Sequence, residues 1–316
     1  MTALPNKVVI ATRESPLALW QAHHVRDQLA THYPNMQIDI LGMTTQGDQN
    51  LSSSLAKIGG KGLFVKELEM ALAEGRADIA VHSMKDVPVV LPKGFVLAVI
   101  STREDARDAF VSNKFAGPEA LPAGSLVGTS SLRRESQLRA RFPALQVETL
   151  RGNVQTRLRR LDEGRFAAIL LAVAGLTRLG LADRITTALP VEDSIPAVGQ
   201  GALGIECRAE RSDLRALLAP LHDEPTAICV SAERAVSLAL SGSCTLPLGV
   251  HARLLEGRMH LLGVVASPDG QQLVRAKLDV NAHEHSPEAI GKRLADALLT
   301  QGAGPILAAL QAQPPH

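Results

Sequence analysis

"KGLFVKELEMALAEGRADIAVHSMKDVP", residues 61–88, decides the fold. Residues 61–75 carry a helical spacing of apolar positions and end on Gly75, a residue that closes helices. Residues 77–84 then form an apolar run of strand length. A helix passing directly into a buried strand is half of a βαβ unit. The residues at and just after the strand end are polar: His82, Ser83, Lys85 and Asp86.

The same alternation extends in both directions. "KVVIAT" (7–12) predicts a strand. "SPLALWQAHHVRDQLATHY" predicts a helix with Ser15 as N-cap and Pro16 at its first position. "IDILGM" (38–43) is the next strand. Further on, "GSLVGTS", "RRESQLRARF", "QVETL", "NVQTRLRRLDEG" and "AAILLAVAGL" repeat the strand–helix pattern, and "GALGIECR" (201–208) adds one more strand. From about residue 224 the texture changes. The helix "PTAICVSAERAVSLAL" leads into strand-like runs at 248–255, 258–266 and 271–280, separated by "EGR" and "PDG" turns as in an antiparallel meander. A last helix is expected over about 286–300, with "QAQPPH" as a frayed tail. The fold class is therefore α/β: two α/β lobes with mixed, mainly parallel sheets, plus a small α+β C-terminal domain. The expected units are 1–101 with 201–220, then 105–196, then 224–316.

Composition narrows the function. The chain has 316 residues, 46% of them apolar and only 3% aromatic, with a net charge of +1. A near-neutral chain with few rings for base stacking argues against nucleic acid. Three widely spaced cysteines make neither a disulfide framework nor a zinc site, so no metal is expected. The N-terminal stretch lacks a signal-peptide pattern and no apolar run reaches membrane length, so a cytoplasmic protein with no membrane partner is expected.

In two-lobed α/β proteins, ligands bind at the carboxyl ends of strands. Here those positions hold Arg13 and Ser15, then Ser83, Lys85 and Asp86, then Thr129, Ser130, Ser131, Arg133 and Arg134, then Arg151, then Arg178. Residues 133–165 contain nine arginines and no lysine, against four acidic residues. The planar fork of arginine suits carboxylate or phosphate, so the pattern points to a shared anion-binding cleft. Arg139, Arg159 and Arg160 read as a solvated helix face. Asp86 stands out in this basic setting: it is either a structural ion pair or turn residue before "VP", or a carboxylate placed to stabilise a developing cation or move a proton. His82 is equally a satisfied strand-end histidine. "GGKGLF" (59–64) fits neither phosphate-loop pattern and reads as a flap carrying Lys57 and Lys61. Cys207 and Cys229 fall on apolar patterns and read as packing residues. Cys244, in "SGSCTLPLG" (241–249), sits in a turn of small residues, where a thiol packs poorly.

"ATRESPLALWQA", "KGLFVKELE", "ADIAVHSMKDVP", "GTSSLRR", "LRGNVQTRL", "AGLTRLG", "AVGQGALGIE" and the cysteine turn stand in the order found in the hydroxymethylbilane synthase, or porphobilinogen deaminase, family. The resemblance spans almost the whole chain. It implies three domains, the first two similar to solute-binding proteins, with the chain crossing back to the first. It implies a dipyrromethane cofactor held on Cys244 as a thioether. It also implies condensation of four porphobilinogen molecules with loss of ammonia, then hydrolytic release of linear hydroxymethylbilane, by a monomeric enzyme. Asp86 matches the family's catalytic aspartate. The resemblance assigns cofactor contacts to Ser83, Lys85, Asp86, Thr129, Ser131, Arg133, Arg134, Gly152 and Arg157. It assigns substrate contacts to Arg13, Ser15, Lys57, Lys61, Phe64, Arg151, Arg178 and Gln200. Ser243 departs from the glycine usual before the anchor cysteine. An anion-binding solute receptor and a cysteine-nucleophile hydrolase are the rival classes. The third domain with its cysteine opposes the first, and the absence of a histidine motif near Cys244 opposes the second.

Overall fold

The computed structural model describes residues 4–45, 65–240 and 246–312. The chain begins with β1 (Lys7–Arg13), α1 (Pro16–His32), β2 (Gln37–Met43), α2 (Lys66–Ala73), β3 (Ile79–Ser83) and β4 (Phe95–Ile100). It then enters β5 (Asp108–Val111), β6 (Leu126–Gly128), α3 (Leu132–Arg141), β7 (Gln146–Glu148), α4 (Val154–Asp162), β8 (Ala168–Ala172), α5 (Val173–Arg178) and β9 (Thr187–Ala188). It returns through β10 (Leu203–Arg208) and α6 (Ser212–Leu218).

These strands make two sheets of the same design, β2-β1-β3-β10-β4 and β7-β6-β8-β5-β9. In each, the fourth strand opposes its two neighbours and the other strands share one direction. The sheets are thus mixed and mainly parallel, as the alternation predicts. The exchange is reciprocal. β10 reaches the first sheet only after the chain has built the second, and β5 starts the second sheet directly after β4. Two crossings, through residues 101–107 and 189–202, therefore join the lobes.

Apolar residues cover both faces of each sheet. Val8, Ile10, Ile79, Ile205 and Cys207 face α1 and α6, while Ala11 and Ala80 face α2. In the second lobe, Ile169 and Leu171 lie on one face and Phe110, Val127 and Leu170 on the other. Local signals set the helix starts. Ser15, Ser131 and Asn153 each accept a hydrogen bond from the backbone three residues on, which fixes where α1, α3 and α4 begin.

The third unit is a helix, α7 (Glu224–Ala239), and an antiparallel sheet of β11 (Leu248–Leu255), β12 (Arg258–Ala266) and β13 (Leu273–Asn281). Then come α8 (Pro287–Leu298) and α9 (Gly304–Ala312). Val236, Val250, Leu261, Ile290 and Leu294 form its core. The expected final helix over about 286–300 ends at the predicted place. Beyond it Gly302, at φ 101°, turns the chain and a further helix, α9, begins with Pro305 in its first turn, while 313–316 of the tail expected to fray lie outside the described residues.

Candidate active site

The first lobe contributes the end of β3. Ser83 accepts a 2.8 Å hydrogen bond from Gln21 Nε2 on α1. The chain then makes one 3₁₀ turn, Met84–Asp86. Met84 is buried and its amide donates to the Ala202 carbonyl at 3.0 Å. The crossing segment packs directly beneath: a Cβ on Gly204 would lie 2.4 Å from Met84 Sδ, and one on Gly199, at φ +68°, 2.8 Å from Met84 Cβ. This explains the glycines of "AVGQGALGIE": they let the returning chain press Met84 in place and so aim the next two residues. Lys85 is half-buried and Asp86 exposed. Burial pushes the Lys85 ammonium down to about 8; Asp86 and Asp108 pull it up while Arg134 and Arg133 push it further down. Charges of both lobes therefore act on one lysine.

The second lobe contributes the end of β6 and the start of α3. Ser131 donates its amide to Thr129 Oγ1 at 3.2 Å and caps α3 through its own hydroxyl, which accepts from the Arg134 amide at 3.4 Å. Arg133 and Arg134 are 4% and 5% exposed. Arg133 Nη1 donates to Asp108 Oδ2 and to the Ile195 carbonyl, both at 2.7 Å, and its Nη2 to Asp108 Oδ1 at 3.1 Å. Arg134 Nε donates to Asp108 Oδ1 at 2.9 Å and Nη1 to the Leu170 carbonyl at 3.2 Å. Gln200 Nε2 donates to the Ala106 carbonyl at 2.6 Å and Asp108 Oδ1 at 2.9 Å, while its Oε1 accepts from Arg134 Nη2 at 3.4 Å. Burial pushes the Asp108 carboxyl up, but the two guanidiniums together outweigh it and hold it well below the carboxylate range.

The strand-end pattern treats Arg133 and Arg134 as part of an open arginine lining. The structure instead sets them as an inner wall around Asp108, with most of their donors occupied. Gln200 belongs to the same buried cluster. The sequence pattern does not single out Asp108. Its one local signal is a carboxylate heading a fully buried strand, in a chain whose arginine-rich stretch is short of acids.

Arg151 and Arg157 differ. Both are half-buried, and neither makes an ion pair with a carboxylate among the described residues. Arg151 Nη1 is buried with no hydrogen-bond partner. Arg157 Nε donates to the Gly152 carbonyl at 2.8 Å. Burial, then Arg134 and Arg151, push Arg157 down to about 10, while Asp86 opposes from the other lobe. Gly152 takes φ +110°, which makes its carbonyl available to Arg157 and which a larger residue adopts only with strain. Arg178, half-buried at the end of α5, donates Nη2 to the Gly201 carbonyl at 2.6 Å. Arg13 closes β1 and Ser15 caps α1 beside it.

The remaining expectations sort as follows. His82 Nε2 lies 2.8 Å from Glu206 Oε2, both buried, which is the satisfied-histidine alternative. Cys207 and Cys229 are buried in apolar clusters. Burial raises the Cys207 thiol, and burial with Glu233 nearby pushes Cys229 up to about 11. Two of the three cysteines are thus packed and poorly nucleophilic. Cys244 and Ser243, with Lys57, Lys61 and Phe64, lie outside the described residues. Among the described residues, no group of three His, Cys, Asp or Glu side chains could hold a metal, and no helix is long and apolar enough to cross a membrane.

Fold and site together define a class: a two-lobed α/β protein whose cleft presents a carboxylate, Asp86, against Arg151 and Arg157, which have no acidic partner among the described residues. Comparison with known proteins gives the family. Residues 8–216 match the family description "Porphobilinogen deaminase, dipyromethane cofactor binding domain", and residues 227–300 match "Porphobilinogen deaminase, C-terminal domain". The chain is 62% identical over 306 residues to porphobilinogen deaminase of Nitrosomonas europaea, covering 97% of this chain and 99% of that protein. It is 61% identical over 307 residues to that of Thiobacillus denitrificans, covering 97% and 100%. It is 61% identical over 306 residues to that of Methylobacillus flagellatus, covering 97% and 98%. The chain belongs to the porphobilinogen deaminase family, and it is an enzyme of tetrapyrrole synthesis that works on a dipyrromethane cofactor.

The described residues fit such a group. A dipyrromethane bears several carboxylates, and among the described residues the cleft holds Arg151 with a buried nitrogen lacking a partner, Arg157 without an acid, and Lys85.

Proposed function

We propose that this cleft binds the carboxylates of porphobilinogen and of the growing pyrrole chain, and that Asp86 is the catalytic carboxylate between the lobes. The observation that carries the reading is that, among the described residues, Arg151 and Arg157 have no acidic partner while Asp86 acts on Arg157 from across the cleft. Arg13, Arg151, Arg157, Arg178 and Lys85 pair with acetate and propionate groups, and Ser83, Thr129 and Ser131 add hydroxyl or backbone contacts near them. Arg133, Arg134 and Gln200 act from behind, fixing the start of α3 and the potential at Lys85. Lys57, Lys61 and Phe64 complete the substrate contacts, and Cys244 anchors the cofactor as a thioether. When bound, the dipyrromethane supplies the nucleophilic pyrrole carbon.

Asp86 accepts hydrogen bonds from pyrrole N–H groups. As porphobilinogen loses ammonia, the positive charge left on its methylene and ring is balanced by that carboxylate, which no other acidic side chain of the turn could replace. The proton released when the new bond rearomatises passes first to the same carboxylate. The reaction is a transfer of four pyrrole units followed by hydrolysis, on a monomer in the cytoplasm. The two buried free thiols accord with a reducing compartment. The three working units are 1–101 with 201–220, 105–196, and 224–316, in keeping with the three sheets.

Replacing Asp86 by Asn keeps the shape and removes the charge. Turnover is expected to fall by about two to three orders of magnitude, the usual effect of losing one preorganised electrostatic contact. Near-parental formation of hydroxymethylbilane by Asp86→Asn would show that the charge is balanced elsewhere. Intact mass and peptide mapping of the parent protein test the anchor: a dipyrrole on Cys207 or Cys229 would overturn it.

A further inference from the structure

One face of α1 looks across the junction of the lobes. Leu17, Trp20, Gln21 and His24 recur at helical spacing on it. Gln21 holds Ser83 at 2.8 Å, and a side chain on Gly175 of α5 would come 3.6 Å from Leu17 Cδ2. Between these contacts the Arg178 guanidinium carbon lies over the Trp20 ring, 5.7 Å from its centroid. Trp20 in turn stacks on His24, with centroids 4.9 Å apart and planes 11° from parallel. Arg178 belongs to the second lobe and Trp20 to the first. The Arg178 Nη2 donates to the Gly201 carbonyl of the crossing segment at 2.6 Å, so one guanidinium of the second lobe touches both α1 and the crossing.

An arginine meant to receive a carboxylate cannot be held by a resident carboxylate without losing the donors it must offer. An aromatic face attracts the cation through its quadrupole and leaves the edge of the guanidinium free. Arg178 fits that case: it makes no ion pair among the described residues, and only Nη2 is engaged.

We propose that Trp20 is the positioning residue for Arg178, holding its guanidinium by the ring face across the lobe junction so that Nε and Nη1 meet a substrate carboxylate. The proposal rests on the reading of Arg178 as a carboxylate ligand. Trp20 is also the one tryptophan of the chain, so its emission reports the contact without interference.

The test uses cofactor-loaded enzyme with porphobilinogen as the probe, comparing the parent with Trp20→Leu, Trp20→Phe, Arg178→Gln and the double variant Trp20→Leu/Arg178→Gln. Trp20→Leu is expected to raise KM about fivefold, the size of a partly exposed cation–π contact, with kcat changed less. Trp20→Phe should recover most of that loss, because a ring is restored. In the Arg178→Gln background, Trp20→Leu should add less than about twofold, since coupled residues are not additive. Emission of Trp20 without substrate should differ between the parent and Arg178→Gln. A parental KM in Trp20→Leu overturns the proposal, as does Phe performing no better than Leu, or a full Trp20→Leu effect in the Arg178→Gln background. Emission unchanged by Arg178→Gln overturns the contact itself. Changed emission with a parental KM in Arg178→Gln keeps the contact but removes the ligand reading, and the proposal with it.

Discussion

Arg133 and Arg134 lie fewer than 25 residues before Arg151 and Arg157, on the same lobe and in the same lysine-free stretch, yet the two pairs do opposite work. The first pair is locked on Asp108 and nearly sealed from solvent. The second pair has no acidic partner among the described residues and repels itself and Arg134. The difference lies in what the crossings deliver. Asp108, Ser194 and Gln200 belong to the two crossings or their ends: Asp108 and Gln200 bond the first pair, and Ser194 Oγ donates to Asp108 Oδ2 at 2.7 Å. Nothing acidic from the crossings reaches the second pair. An arginine-rich run is thus not one device: the part beside the hinge is tied to Asp108, and the part facing the cleft has no acidic partner among the described residues.

The harshest way to break the comparison is Asp108→Asn. It strands two buried guanidiniums, and losing one partner of a buried pair costs about 3–5 kcal/mol. At roughly 2–4 °C per kcal/mol for a chain of this size, the melting temperature should fall by about 10 °C. A drop of only a degree or two in calorimetry would mean the pair is as exposed to water as the second one. The native pKa of Asp108 is depressed, so its stabilisation is present above the unfolded carboxylate value near 4 and is lost only as pH falls below that. Arg157→Gln should behave in the opposite sense. Without cofactor it should leave stability unchanged or slightly raised, because it relieves repulsion. Loaded, it should weaken porphobilinogen binding by about tenfold, or 1.4 kcal/mol. Steady-state KM and apo-protein melting decide it; a destabilised apo protein with parental KM would place Arg157 with the structural pair.

The smallest effect is a pH response at Lys85, which feels the first pair together with Asp86 and Asp108. Its ammonium is pushed down to about 8, below the unfolded value near 10.4. The native state therefore releases a proton more readily than the unfolded chain. The cost of burying the charge is present below pH 8 and fades as pH rises from 8 toward 10.4. In catalysis the sign is the reverse: above pH 8 the anion loses a cation, so KM should rise. A KM that stays flat from pH 7 to 9 would mean Lys85 does not face the substrate. Lys85→Arg should remove the pH response, since arginine stays charged.

Much of this architecture is legible in the amino-acid sequence. Ser15 and Pro16 mark the start of α1, and the "EGR" and "PDG" turns separate β11, β12 and β13. Those signals are local, set by caps, turns and periodicity. The strand ends that carry Ser83, Lys85, Thr129 and Arg178 follow from the same alternation. Pairing over long separations does not show. Asp108 meets Arg133 across 25 residues and Gln200 across 92, and no local pattern records a partner so far away. The helix α9 is hidden for a different reason: Gly302 reads as a stop, and the Pro305 that restarts the helix stands beyond it.

The reciprocal strand exchange has a consequence for how the protein is made. The second sheet is complete once residue 188 has emerged, because all of its strands lie between 108 and 188. The first sheet is not. β4 touches the rest of its sheet only through β10, so it has no partner until residue 208 is available. Synthesis runs from the amino end and domains fold as units when they can. The lobe translated first is therefore finished last. Until then β4 exposes "FVLAVI", an unpaired apolar strand edge, for the time needed to make about a hundred residues, on the order of 5–20 s at ribosomal speed.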